Sequence, residues 1–368
     1  MSEDERWMQK ALELAELGRN QTSPNPLVGA VVVRNGELVG QGAHLKAGGP
    51  HAEVHALRMA GEQASGSTVY VTLEPCSHYG RTPPCAKALI EAGVARVVVA
   101  MEDPNPQVHG RGIQLLREAG IEVRTGVLSQ QAALQNESFL TWVTQKRPFI
   151  VWKCAATLDG YIATETGHSF YVTGEAARAE VQHLRERIPA IAVGVETVLK
   201  DNPRLTVRSA TAKRQPLRVI FDSQLRFTAD AQMLSEPGRT LIYTTVAAAT
   251  TANATALQQA SGTQLEVAPM PTEANGRVSL TAALQDLAGR GIDSLLVEGG
   301  ATLASALLQQ QLIDKVVYFV APKLLAGGMN ALFGANHMRM TEAIQLRNVT
   351  WSQIGDDLRC EGYPQYGS

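Results

Sequence analysis

Two apolar periods run through this chain, and they alternate. Trp7, Met8, Ala11, Leu12 and Ala15 recur at helical spacing with Gly18 as a stop, which predicts a helix over residues 3–17. After the breaker Ser23-Pro24-Asn25-Pro26, the run from Leu27 to Val33 reads as a strand. Asn35-Gly36 is the two-residue turn that returns it through Leu38-Val39-Gly40. A helix over 51–61 follows, then a strand Thr68–Leu73 and a helix Cys85–Glu91 opened by Pro83-Pro84. Strand Val94–Met101, helix Gly112–Ala119, strand Ile121–Val127 and a helix from Ser129 to about Gln145 complete the first series.

Lys146-Arg147-Pro148 marks a seam, dividing the chain into 1–145 and 146–368. The second series predicts strand Phe149–Ala156, helix Glu175–Arg187, and strands Ala190–Val195, Leu217–Phe221 and Thr240–Thr245. Helix Leu280–Gly289, strand Ser294–Val297, helix Thr302–Gln310 and strand Lys315–Val320 come next. Two late strands, about 344–354 and 358–362, turn at Gly355-Asp356-Asp357. The Ala/Thr-rich run 246–260 is weakly patterned and reads as surface loop or frayed helix. Alternating strands and helices imply α/β units, each a sheet covered by helices. The halves share no repeat.

Length and charge narrow the class. At 368 residues, 45% hydrophobic and 18% charged, the chain is a folded protein too long for one ordinary core. A net charge of -2 without a Lys/Arg run argues against nucleic-acid binding. No apolar run approaches the ~20 residues of a membrane span. The acidic start, Met1-Ser-Glu-Asp-Glu-Arg6, is not a signal peptide. Four cysteines make no disulfide framework, so a reducing cytoplasmic setting is expected, with a small-molecule partner.

The chemistry gathers at His51-Ala-Glu53, answered by Pro75-Cys76 and Cys85. One His and two Cys are three ligands, the number a catalytic zinc keeps when its fourth position holds water. A Glu two residues after the His, followed by Pro-Cys, is the pattern of zinc nucleobase deaminases, with the Glu as proton carrier. Here the second Cys comes nine positions after the first. The start of a helix adds orphan amides and a positive dipole end. Any one of these residues alone is as easily a cap or core residue; the ordered set is not. His55, four residues after His51, would as a fourth ligand close the site into structural zinc and leave Glu53 unexplained.

The second half has no G-x-G-x-x-G. Val297-Glu298-Gly299-Gly300-Ala301-Thr302-Leu303 reads instead as strand, glycine turn and helix. Such a turn is a general anion site, though in most α/β proteins it is only a turn. Two other readings stand at this point. One is a nucleotide or tRNA deaminase carrying a non-catalytic C-terminal binding module; the other is a zinc-stabilised scaffold. Cys154 and Cys360 read as buried structural thiols, and Met338 and Met340 as packing.

The string His51-Ala-Glu-Val-His-Ala-Leu57, with Leu73-Glu-Pro-Cys-Ser-His-Tyr-Gly-Arg-Thr-Pro-Pro-Cys85, resembles the bifunctional riboflavin-biosynthesis deaminase/reductase family. Its long insert between the cysteines sets that family apart from cytidine-type and tRNA-editing relatives. Pro24-Asn25-Pro26, Asp103-Pro104-Asn105-Pro106, Lys153-Cys-Ala-Ala-Thr-Leu-Asp-Gly160, Thr197-Val-Leu-Lys-Asp-Asn-Pro203 and Leu205-Thr-Val-Arg208 also match. The resemblance implies an N-terminal cytidine-deaminase-like αβα sandwich holding one Zn2+ at His51, Cys76 and Cys85, with Glu53 catalytic. Its substrate would be 2,5-diamino-6-ribosylamino-4(3H)-pyrimidinone 5′-phosphate, with Asn25, His44, His78 and Arg81 in the pocket.

For the C-terminal half the resemblance implies a dihydrofolate-reductase-like α/β domain that uses NADPH to reduce the ribosyl group to ribityl. Ala155, Tyr171, Thr197, Asp201, Ser223, Gly300, Ala301, Thr302, Leu303, Ala304, Ser305 and Ala306 would then meet the dinucleotide. Lys153, Ser169, Arg185, Leu205, Arg208 and Glu298 would meet the sugar phosphate. Lys153, Asp201 and Glu298 are the candidate proton donors, and a homodimer is expected by analogy.

Overall fold

The computed structural model describes all residues except 78–83, 106–108, 210, 211, 213, 262, 263, 335–338 and 368. It divides into two compact units, Met1–Arg147 and Pro148–Ser368.

The first unit opens with α1 (Glu3–Ala15), begun by a capping box in which Glu5 N donates to Ser2 Oγ and Ser2 N to Glu5 Oε2. Strands β1 (Gly29–Arg34) and β2 (Glu37–Ala43) form the expected hairpin, with Asn35 and Gly36 at φ 52° and 79°. Then come α2 (Ala52–Ala60), β3 (Thr68–Val71), α3 (Cys85–Glu91), β4 (Arg96–Val99), α4 (Arg111–Glu118), β5 (Glu122–Thr125), α5 (Ser129–Gln135) and α6 (Glu137–Gln145). The sheet order is β2-β1-β3-β4-β5, antiparallel on both sides of β1 and parallel from β3 to β5.

Alternation along these strands makes the layers. Val31, Val33, Tyr70 and Val98 face Trp7, Met8 and Leu12 of α1 and Ala132 of α5. Their neighbours Ala30, Val32, Val69 and Val97 face Ala52 and Ala56 of α2, Leu89 of α3, Leu116 of α4 and Phe139 of α6. Buried Asp4 ties α1 to the sheet, accepting from Tyr70 Oη at 3.0 Å, Arg96 Nη1 at 2.8 Å and Arg124 Nη1 at 2.6 Å. The result is an αβα sandwich. One expectation needs correction: the single helix over 129–145 is two helices, broken at Asn136. Its buried side chain accepts from Leu27 N at 2.8 Å and donates to Leu27 O at 3.0 Å, clamping a loop peptide the helix would otherwise exclude.

The second unit contains β6 (Phe149–Thr157), β7 (Tyr161–Ala163), α7 (Glu175–Arg187), β8 (Ala190–Gly194), α8 (Val195–Asp201), β9 (Leu217–Phe221) and β10 (Thr240–Thr245). It continues through α9 (Val246–Ala249), α10 (Ala252–Ser261), β11 (Leu265–Met270), α11 (Leu280–Gly289), β12 (Ser294–Glu298) and α12 (Ala301–Gln309). It ends with β13 (Lys315–Ala321), β14 (Met329–Asn330), β15 (Gln345–Ile354) and β16 (Asp357–Gln365). Nine strands form one sheet in the order β11-β10-β9-β8-β12-β6-β13-β16-β15, while β14 pairs with β7. The sheet is parallel through β13 and antiparallel at β16 and β15. Packed helices cover both faces, α7, α8 and α10 on one and α11 and α12 on the other.

The parallel strands β6, β8, β9 and β12 all end at one margin, where ligands of open α/β sheets bind. The weakly patterned run 246–260 is helical, with Thr245 Oγ1 accepting from Ala248 N at 3.3 Å to cap α9. Met340 is 89% exposed, so it does not pack; Met338 lies outside the described residues. No helix among the described residues is long and apolar enough to cross a membrane.

Candidate active sites

Gly42 on β2 lets α2 lie close against the sheet, since a Cβ there would come 2.4 Å from Ala52 O. That approach fixes where α2 begins. His51 is its N-cap with extended backbone, one position ahead of the expected first turn, and Glu53 lies inside that turn. Cys76 follows the end of β3, and Cys85 opens α3 with Pro84 as N-cap. Three segments far apart in sequence thus converge. The ligand atoms of His51, Cys76 and Cys85 lie within 4.8 Å of one another. His51 Nδ1 is 3.2 Å from Cys85 Sγ and 3.5 Å from Cys76 Sγ.

Glu53 stands against this cluster, 3% exposed, with no hydrogen-bond partner for Oε2 among the described residues. Burial pushes its carboxyl up to about 7, against the pull of the neighbouring His51. Hydrogen bonding from Cys85, and next from His51, draws the Cys76 thiol well below its ordinary value, against the opposing cost of burial. A thiolate, a second thiol and an imidazole suit a borderline-soft cation such as zinc, and the buried unpaired carboxylate oxygen needs a partner of the kind a bound water offers. His55 is half-buried and stands outside the cluster. Among the described residues the donor set therefore has three protein members.

Two expected pocket residues reach the same place. His44 Nδ1 donates to Pro50 O at 3.0 Å, which leaves Nε2 to accept from Asn25 Nδ2 at 3.1 Å. The His44 ring meets that of His51 edge-on, with centroids 5.5 Å apart. His78 and Arg81 lie outside the described residues. Glu74 is a residue the sequence reading passed over, although it stands beside Pro75-Cys76. Its buried carboxylate accepts from the backbone N–H groups of Asp103, Gly110, Gly112 and Ile113 at 2.9–3.3 Å, anchoring the chain just before Cys76.

In the second unit the strand margin holds two cavities. The larger, about 540 Å³, brings together Lys153, Ala155, Ser169, Tyr171, Thr197, Asp201, Gly300, Ala301 and Thr302. Tyr171 is 61% exposed at φ 61°, with the Arg178 guanidinium 4.7 Å over its ring. The smaller, about 420 Å³, holds Ser223, Leu303 and Ala306, and shares Thr197, Gly300 and Thr302 with the first. Gly299, at φ 139°, makes the turn into α12, and Gly300 N donates to Thr197 Oγ1 at 3.2 Å.

Not every expected residue faces a cavity. Ala304 is wholly buried in the core, and Ser305 Oγ is occupied in accepting from Phe333 N at 2.9 Å, because a helix presents one face at a time. Leu205 is also core, at φ 50°. Arg208 is exposed, and its backbone N–H donates to Gln182. Cys154 and Cys360 are free and buried, and Cys154 also lines the larger cavity.

Behind Lys153 lies a charged cluster that the sequence did not reveal. Glu298 is buried; Arg185 Nε meets its Oε1 at 2.7 Å and Arg185 Nη2 its Oε2 at 3.1 Å. Lys153 Nζ is 3.3 Å from the same Oε2. Burial alone would raise the Glu298 carboxyl, but the guanidinium and the ammonium overcome it and hold it at about 2. The Arg185 fork is thereby filled, with Nη1 donating to Thr206 O.

Comparison with known proteins now bears on both units. Residues 1–101 match the model of the cytidine and deoxycytidylate deaminase zinc-binding region, and residues 148–360 that of the RibD C-terminal domain. The riboflavin biosynthesis protein RibD of Escherichia coli K12 is 44% identical, over 97% of this chain and 98% of its own length. The chain belongs to the RibD family. The RibD of Bacillus amyloliquefaciens is 42% identical over 99% of this chain and 97% of its own. Among solved structures, Acinetobacter baumannii RibD superposes with a TM-score of 0.89 at 41% identity, covering 99% of each chain. A Thermotoga maritima diaminohydroxyphosphoribosylaminopyrimidine deaminase/5-amino-6-(5-phosphoribosylamino)uracil reductase superposes at 0.84 with 36% identity, again over 99% of each. As a RibD-family protein the chain is a deaminase and reductase, with a zinc-binding deaminase domain and NADPH as the cofactor of reduction.

Proposed function

We propose that the unit Met1–Arg147 removes the ring amine of 2,5-diamino-6-ribosylamino-4(3H)-pyrimidinone 5′-phosphate by hydrolysis. The unit Pro148–Ser368 then reduces the ribosyl side chain of the product with NADPH, giving 5-amino-6-ribitylamino-uracil 5′-phosphate. The observation that carries this reading is the buried Glu53 carboxylate, with one unpaired oxygen, beside three converging ligand atoms.

His51, Cys76 and Cys85 would hold the zinc, which when bound would supply Lewis-acid polarisation able to bring the pKa of water from 15.7 to about 7. Glu53 moves the protons: it takes one from the attacking water and gives it to the ring nitrogen, then takes the second from the added hydroxyl and gives it to the leaving amine. Water and the ring amine thus become a carbonyl and ammonia. Asn25 and His44, fixed to each other and to Pro50 O, orient the ring beside His51.

In the second unit NADPH, when bound, would supply the hydride for C1′ of the ring-opened imine, and the chain's own residues would have to give a proton to the imine nitrogen. Glu298, held ionised by Arg185 and Lys153, is not that proton's source near neutral pH. Lys153 and Asp201 both line the cavity and remain as donors. Glu298 acts through Lys153, fixing its ammonium at the cavity floor.

Two further parts of the reading are its setting and assembly. Four free cysteines support a reducing, cytoplasmic compartment. A homodimer through the reductase unit is supported by the outer strand β15, exposed along nearly its whole length. The test of the main reading is an assay of the purified chain on the diaminopyrimidine ribotide. One ammonia released for each NADPH oxidised, with ammonia appearing first, is expected. Ammonia without NADPH oxidation would leave the C-terminal unit a non-catalytic module.

A further inference from the structure

The chain between β7 and α7 is irregular, yet side chains from three other places grip its backbone. Lys323 Nζ donates to Tyr171 O at 2.7 Å and to Val172 O at 2.9 Å. Arg178 Nη1 donates to Thr173 O at 2.8 Å, and Gly174 N donates to the buried Asp357 Oδ2 at 2.7 Å. Three successive carbonyls and the amide after them are thus held from the loop after β13, from α7 and from the start of β16. All four bonds involve an ionised side chain, which is the stronger class. The gripped segment is also a wall of the larger cavity, lined by Ser169, Tyr171, Val172 and Thr173.

Tyr171 shows why the wall needs holding. Its φ of 61° is left-handed, a region a bulky side chain enters at a cost, and such a conformation persists only where its surroundings over-determine it. Arg178 secures the ring, with the guanidinium 4.7 Å from its centre, and Lys323 secures the peptide that follows. Lys323 is exposed, has no carboxylate partner among the described residues, and is not one of the residues lining either cavity. An exposed ammonium on a flexible stem is ordinarily solvated. Here its backbone is pinned on both sides. Leu158 N donates to Lys323 O at 2.9 Å, and the Asp159 carboxylate accepts from Leu325 N at 3.0 Å and Ala326 N at 2.7 Å. The turn between β6 and β7 therefore sets the ammonium beside the wall.

We propose that Lys323 is a positioning residue of the second unit: by holding the Tyr171 and Val172 carbonyls it keeps the cavity wall in its ligand-receiving conformation, without itself meeting ligand. This rests on the reading of the larger cavity as the reductase site. Without the ammonium the left-handed turn relaxes for part of the time. Apparent affinity then falls in proportion to the fraction of chains whose wall is still in place. Bound ligand re-forms the wall, so the chemistry at saturation is little changed.

Equilibrium titration of the full chain with NADPH, followed by nicotinamide fluorescence, and hydrogen exchange over residues 169–174 test this without turnover. K323M should weaken NADPH about threefold to tenfold and speed exchange of those amides, with saturating NADPH restoring their protection. K323R still offers donors to two carbonyls and should recover most of the affinity. In steady state, K323M should raise KM for NADPH while kcat stays within about twofold. Unchanged ammonia release by the first unit reports that the chain is folded; if K323M fails that control, K323Q carries the same test. Unchanged affinity and exchange, or a kcat lost with KM unchanged, would overturn the role of Lys323 and leave the reductase reading standing. If wild type binds no NADPH, the reductase reading falls and this inference with it.

Discussion

Glu298 shows what one buried residue contributes when its neighbours are fixed. Its carboxyl, ordinarily near 4.5, is held at about 2 by Arg185 and Lys153. A depressed folded-state pKa gives stability that is present above the unfolded value and is lost as pH falls from about 4.5 toward 2. The loss should be on the order of 3 kcal/mol. Thermal melts of the full chain across that range should therefore fall more steeply for wild type than for E298Q, which is weaker at neutral pH but has no such carboxylate to protonate. Parallel curves would show that the cluster does not couple to folding. This trio was not legible in the sequence, because Arg185 and Glu298 are 113 positions apart and only the strand register sets Glu298 beside Lys153. The zinc-ligand set was legible for the opposite reason: His51, Glu53, Cys76 and Cys85 carry their order and spacing on the chain itself.

At the scale of elements, period and punctuation carried most of the fold. The hairpin at Asn35-Gly36, the helix Glu175–Arg187 and the strands Leu217–Phe221 and Thr240–Thr245 lie where their patterns place them. What pattern could not reveal was tertiary. Asn136 ends α5 because it clamps the Leu27 peptide, a partner 109 positions away. Strand β11 contains Pro269 and gains its place by parallel pairing with β10 at the sheet margin. At the opposite margin β15 leaves a long row of exposed backbone and the Trp351 ring, 63% exposed. A long exposed edge is a template for pairing with another chain. Light scattering on the full chain should accordingly give about twice the 39.5 kDa chain mass. A mass equal to one chain would remove the dimer.

Across the whole molecule, each unit has its own core and its own sheet, and each sheet brings distant segments to one margin. In the first unit the starts of α2 and α3 meet the end of β3, and in the second the ends of β6, β8, β9 and β12 meet the start of α12. The two-unit division could be read at Lys146-Arg147-Pro148, but the cavities, built by loops between strands, could not. Separate cores imply that one chemistry can be removed without the other, and the central claim is that Glu53 carries the protons of deamination alone. The direct measurement is of E53Q, with zinc content determined on the same protein. It should retain zinc, release no ammonia from the diaminopyrimidine ribotide, and still oxidise NADPH when given the deaminated compound. Ammonia release at the wild-type rate would contradict the account.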